Sequence, residues 1–120
     1  MTEHSPMTEF LKNIEIRLKE LGMPIYFKLP GSEIPEPFVV IGNHFDDDSM
    51  SAKTGPAIIS TNLQIDVFLS DKDRAVAEDM SYQVKALLGR RKNITSDILV
   101  DNSIGRQVYH IIINVTDYVI

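Results

Sequence analysis

The chain has 120 residues, 43% of them hydrophobic, no cysteine and a formal charge of -5. That length makes a single domain, residues 1–120, around a single core. The lack of cysteine excludes disulfides and thiolate metal sites. An excess of 17 acids over 12 bases argues against a surface that grips nucleic acid by neutralising phosphates.

The first residues, Met1 to Glu9, carry acids and a proline where a signal peptide needs a basic start and an apolar stretch. A cytosolic protein is expected, since no apolar run approaches the ~20 residues that span a bilayer. The first helix is expected to have Ser5 as N-cap, Pro6 at its first position and Gly22 as its stop. Met7, Phe10, Leu11, Ile14, Leu18 and Leu21 share one face at helical spacing, while Glu9, Lys12, Glu15, Lys19 and Glu20 take the other. Ile16 misses the stripe, which marks it as a candidate subunit contact.

Residues 24–29 read as a short strand, followed by a proline-rich connection over residues 30–37. Residues 38–42, Phe-Val-Val-Ile-Gly, form a continuous apolar run of strand length, so both faces should be covered, or one of them by a neighbouring subunit. Residues 43–56 lose all periodicity and are expected to form a long loop between two central strands. Alternation resumes over residues 58–69, with Ile59, Leu63, Ile65, Val67 and Leu69 on a dry face and Ser60, Asn62, Gln64 and Asp66 on a wetter one.

Ser70 and Asp73 supply an S-x-x-D start for a second helix, whose stripe is Val76, Ala77, Met80, Val84, Leu87 and Leu88 and whose stop is Gly89. Both helices are expected on one face of the sheet. Residues 98–100 and 108–115 are the last strands, joined through Asp-Asn-Ser-Ile-Gly, a turn composition. The basic cluster Arg90-Arg91-Lys92 sits at a helix end, where cations oppose the helix dipole.

No residue is assigned to catalysis, a cofactor or a metal. His44 with Asp46, Asp47 and Asp48 offers cation ligands in principle, but adjacent acids without a second anchoring segment read as solvated loop charge. His110, between Tyr109 and Ile111, reads as a hydrogen-bonded structural histidine, since no nucleophile or orienting carboxylate can be paired with it from sequence.

The element order, with the segments PEPFVVIG at residues 35–42 and LQIDVFLSDKDR at residues 63–74, resembles the tail-completion, or tail-terminator, proteins of long-tailed bacteriophages and prophages. The resemblance implies an α+β fold: one sheet of about four to five mostly antiparallel strands with two helices on one face. It also implies a non-enzymatic virion protein without cofactor, usually six copies forming a ring that ends the tail tube and joins it to the head connector. The implied partners are copies of itself, the tube protein and the connector proteins. DNA would pass through the ring without sequence-specific binding, and no membrane is involved. Assembly in the host cytoplasm and residence at the tail-head junction follow.

The same resemblance places the assembly interface in the long loop, at His44, Phe45, Asp46, Asp47, Asp48, Met50 and Lys53, and adds Asp66 beside Ile16 as a further contact. The loop is expected to be dispensable for folding and needed for assembly, with its three aspartates facing the channel. Two other readings stay open: a small non-catalytic adaptor domain that binds another protein, and an enzyme whose site forms only between subunits.

Overall fold

The first helix forms where its caps are. In the computed structural model, which describes residues 5–47, 59–89 and 93–119, α1 (Pro6–Leu18) starts at Ser5, whose hydroxyl oxygen accepts from the Thr8 amide at 3.1 Å. A 3-10 turn, Lys19–Leu21, closes it, and Gly22 takes the left-handed conformation (φ 73°) that ends the run. Phe10, Ile14 and Leu18 are its buried face.

α2 (Arg74–Leu88) is capped by Asp73 alone, whose carboxylate accepts from the Ala75 amide at 2.9 Å. Ser70 is not part of the cap; it is still in a strand. The buried line is Ala77, Ser81, Val84 and Leu88, spaced four, three and four residues apart, which keeps it on one side of a 3.6-residue turn. Two expected stripe residues leave it: Val76 is 51% exposed, and Leu87 lies half-buried outside the main core. Arg17 Nη1 donates to the Leu87 carbonyl at 3.3 Å, satisfying an end group of α2 from α1.

Five strands, β1 (Ile25–Tyr26), β2 (Phe38–Asp47), β3 (Ile59–Ser70), β4 (Asn93–Asp101) and β5 (Val108–Val119), form one sheet in the order β1-β2-β3-β5-β4. β1 joins β2 in parallel; every other pairing is antiparallel. The fold is α+β, a mostly antiparallel open sheet with both helices on one face, as expected.

Four strands differ in extent from the sequence reading, one of them β5, which runs to Val119 rather than residue 115. β1 keeps only two of the residues 24–29. β4 begins at Asn93 rather than residue 98, its half-buried Ile94, Ser96 and Ile98 alternating with exposed neighbours. β2 runs five residues past Gly42, so Asn43, His44, Phe45, Asp46 and Asp47 are strand rather than loop. Backbone hydrogen bonding is indifferent to side-chain polarity, and β3 offers Ser60 to Leu63 as partners there. The rest of the expected loop, with Asp48, Met50 and Lys53, lies outside the described residues, as does Arg90-Arg91-Lys92.

Period-two alternation sorts the sheet into two faces. On the helix side Val39, Ile41, Leu63, Ile65, Val67, Ile111, Ile113 and Val115 pack with Ile14, Leu18, Val84 and Leu88 in the main core. Each such burial contributes about 1.5–3 kcal/mol. On the other side Phe38, Val40, Phe68 and Val108 form a smaller cluster covered by Tyr26, Ile34 and Ile104. The chain thus covers both faces of its Phe-Val-Val-Ile run without a neighbour.

A single side chain fastens that second cover. Arg106, just before β5, donates from Nε to Glu36 Oε2 at 2.7 Å, from Nη1 to the Ser32 carbonyl at 2.8 Å and from Nη2 to the Ile34 carbonyl at 2.6 Å. The planar fork of a guanidinium matches three acceptors at once, which lysine does not do.

Candidate functional site

The end of β2 and the start of β3 carry most of the residues expected at an interface. The register slips between Ile41 and His44: Ile41 pairs with Ile65, and His44 with Leu63, so two residues of β2 stand opposite Gln64 alone. Gly42 sits in this bulge, and a β-carbon there would lie 3.3 Å from the Gln64 carbonyl oxygen and 3.6 Å from Asp66 Oδ2.

The slip reverses which residues face the helices. Val39 and Ile41 face them before the bulge; His44 and Asp46, opposite Leu63 and Thr61, face them after it. Phe45 is thereby turned to the helix-free side, opposite Asn62, where it is 74% exposed. Among the described residues this exposed apolar ring belongs to neither core cluster.

His44 and Asp46 form a local pair. Asp46 Oδ1 lies 2.7 Å from His44 Nδ1 and accepts from the Thr61 hydroxyl at 2.6 Å. Burial pushes the Asp46 carboxyl up, but the hydrogen bonds from Thr61 and His44, with the charge of His44, outweigh it and the net direction is down. Asp47 pairs in strand register with Ser60.

Asp66 is placed quite differently from a surface contact. It stands on the helix-free face of β3, its side chain 13% exposed, with Oδ1 2.7 Å from His110 Nε2 and 3.0 Å from Gln64 Nε2. The other ring nitrogen, His110 Nδ1, lies 2.8 Å from Asp101 Oδ2. One imidazole therefore ties three strands, β3, β5 and β4, through two carboxylates. Only the doubly protonated ring donates to both.

Burial lowers the pKa of His110, but the hydrogen bonds and charges of Asp66 and Asp101 overcome it and hold the ring above its ordinary 6.5. Asp101 is held below its ordinary 3.8, chiefly by hydrogen bonds from the Ser103 amide (2.7 Å) and hydroxyl and then from His110, against burial. The ring also closes an aromatic row: His110 stacks on Phe68 at 4.3 Å, Phe68 on Phe38 at 4.9 Å, and Phe38 meets the edge of Tyr26 at 6.0 Å.

His110 is thus the hydrogen-bonded structural histidine expected from its strand, but its partners were not foreseen. Residues 66, 101 and 110 are far apart along the chain, and only the register, which sets Phe68 opposite His110 and Leu99 opposite His110, brings them together. The arrangement offers no nucleophile next to the imidazole, and its two carboxylates sit on opposite ring nitrogens rather than converging. Among the described residues no group of three or more His, Asp or Glu side chains could hold a metal ion, and no helix is long and apolar enough to cross a membrane.

Ile16 is 61% exposed, as its break from the α1 stripe implied. It borders a shallow groove between the helices with Arg17, Glu20, Ala86 and Leu87. The candidate contacts are therefore separated: Ile16 on the outer helix layer, Phe45 on the far face near the end of the sheet, and Asp66 inside a polar trio. No family model matches this sequence, and no curated protein matches it.

Proposed function

We propose that this protein is a non-catalytic assembly subunit, a tail-terminator-like protein that forms a ring at the end of a phage tail tube, ends the tube and joins it to the head connector. The observation that carries this reading is the β2 extension past the bulge, a paired strand whose Phe45 is 74% exposed on the helix-free side. Support comes also from the sheet being open rather than closed, with β1 and β4 as its outermost strands among the described residues, since a subunit that repeats needs two different surfaces. Copies of itself, the tube protein and the connector are the partners, assembly takes place in the host bacterial cytoplasm, and DNA passes the ring without being read.

Deletion of the gene from the phage or prophage tests it, with particles examined by electron microscopy. The expected result is filled heads beside unjoined tails of irregular length, restored by the gene in trans. Normal joined particles would refute the role. The second reading, a small protein-binding adaptor domain, draws on the groove between the helices, where Ile16 and the 77% exposed Tyr82 flank apolar surface. It predicts intact particles and a captured protein partner that is lost on Ile16→Asp.

A further inference from the structure

The bracket around His110 is built for one protonation state. A neutral imidazole has one N–H and one lone pair, so it donates to Asp66 or to Asp101 but not to both. The remaining carboxylate then faces a lone pair at 2.7 or 2.8 Å.

The two carboxylates are not held alike. Asp66 stands in the middle of β3, opposite Val40 of β2 on one side and Ile112 of β5 on the other, and cannot retreat without parting the centre of the sheet. Its further donor is the Gln64 amide, at 3.0 Å from Oδ1 and 3.2 Å from Oδ2. Asp101 is the last residue of β4, opposite Val108 at the mouth of the β4–β5 turn. Its Oδ1 accepts from the Ser103 amide at 2.7 Å, and the Ser103 hydroxyl bonds it too, so both of these donors belong to the turn itself. Asp101 can therefore swing away with the turn and keep them, whereas Asp66 stays fixed. A neutral ring keeps its proton on Nε2, toward Asp66, and turns the Nδ1 lone pair to Asp101.

The surroundings add no cation to replace the lost proton. From β4, Asp97 holds a register position on the same face as Leu99 and Asp101 and brings a further negative charge. From β2, Val40 and Gly42 lie beside Asp66, and neither titrates. From β5 itself, the neighbours of His110 on this face are Val108 and Ile112. From the cover, Tyr26 ends the aromatic row, and Arg106 is bonded to Glu36 and to the Ser32 and Ile34 carbonyls. Once the ring is neutral, Asp66 and Asp101 repel each other.

We propose that His110 is a pH-operated clasp on the β4–β5 turn: loss of its second proton releases Asp101 rather than Asp66, and the end of β4 loosens with the turn while β3 and β5 stay paired. Arg106 still anchors the turn to residues 32–36, so the turn opens as a flap from the β4 side and uncovers Val108 of the smaller apolar cluster first. Burial works against the charged ring, but the bonds and charges of Asp66 and Asp101 hold it above its ordinary 6.5. The clasp is therefore shut below about pH 6.5 and opens as the pH rises through the folded value.

Two measurements on the unmodified chain, taken from about pH 5 to about pH 9, test the clasp. Nitrogen NMR of the ring should show the neutral form with its proton on Nε2. Hydrogen exchange, with each rate divided by that of the unfolded peptide at the same pH, should show residues 101–108 losing protection at least about tenfold across the same step, which corresponds to 1.4 kcal/mol. The amides of β3 and the rest of β5 should keep theirs. Asp101→Asn supplies a third reading: its amide donates to the Nδ1 lone pair while its oxygen accepts from Ser103, so the neutral ring is satisfied at both nitrogens. In that variant the ring should still titrate and the step in protection should vanish. A neutral ring with its proton on Nδ1 would overturn the proposal, as would protection of residues 101–108 that does not change with pH. Equal loss across all strands would overturn it too, since the trio would then hold the entire sheet, and so would a step that persists in Asp101→Asn. The first two readings need no variant.

Discussion

His110 is the residue whose chemistry most shapes the behaviour of this fold. Its ring is satisfied on both nitrogens only when it carries two protons, and its folded-state pKa is raised above the unfolded 6.5. The stability it contributes is therefore complete below about pH 6.5 and is lost as pH rises through the folded value. Asp46 and Asp101 act in the opposite sense: their folded pKa values are lowered, so their contribution is present above about pH 4 and is lost as the pH falls through those values. The melting temperature should peak between the two limbs. In His110→Gln the alkaline limb should flatten, and at about pH 6 the variant should lose about 1–3 kcal/mol, the cost of orphaning a buried polar partner. Thermal melts of both proteins across the pH range check this, and an unchanged alkaline limb in the variant would show that another group carries it.

At the level of elements, the α2 stripe separates two leucines that look alike in sequence. Leu88 is 1% exposed within the main core, whereas Leu87 lies outside it and lines the groove between the helices. Leu88→Ala should cost about 2–5 kcal/mol in urea unfolding, as should Ile65→Ala in β3, while Leu87→Ala should cost less than about 1 kcal/mol. The helices, the cap of α1 and the long β3 were legible because period and capping chemistry are local, whereas the start of α2 was read one element too early, at Ser70, which is still strand. The shared helix face was legible too, since two apolar stripes had to be buried together. The extension of β2 was not legible, because Asn43, His44, Asp46 and Asp47 carry polar side chains on a strand whose pairing is made by the backbone alone. The bulge at Gly42 hid the rest: it reverses the alternation, so that Phe45 faces away from the side that counting from Val39 and Ile41 would give. Part of what looked like a detachable loop is in register with β3, and a linker that replaces residues 44–55 would remove strand pairing as well.

As a whole the molecule is drawn out, 53 × 30 × 25 Å, and its sheet is unequal across its width. β3 is paired along its full length with β5 and along most of it with β2, whereas β1 rests on two residue pairs and β4 has one neighbour. Among the described residues the helix-free face is covered at one end, by the segment carrying Ile34 and the turn carrying Ile104, and exposed at the end that bears Phe45. The covered end is closed by the chain's own segments, whereas Phe45 at the other end is exposed.

The three bonds of Arg106 have a consequence for how the covered end moves. They join residues 32–36 to a position about 70 residues later in the chain, so the two segments that lie over Phe38, Val40 and Phe68 cannot lift independently. Amide hydrogens beneath them, such as that of Val39, which donates to the Pro24 carbonyl at 2.9 Å, should exchange with solvent only through a concerted opening of both segments. In Arg106→Lys, which keeps the charge but not the fork, hydrogen exchange at β1 and the start of β2 should speed up at least about tenfold while the amides of β3 and β5 keep their protection. Equal acceleration across all four strands would mean that the arginine secures the entire fold; a local change would make it a latch on one door of the sheet.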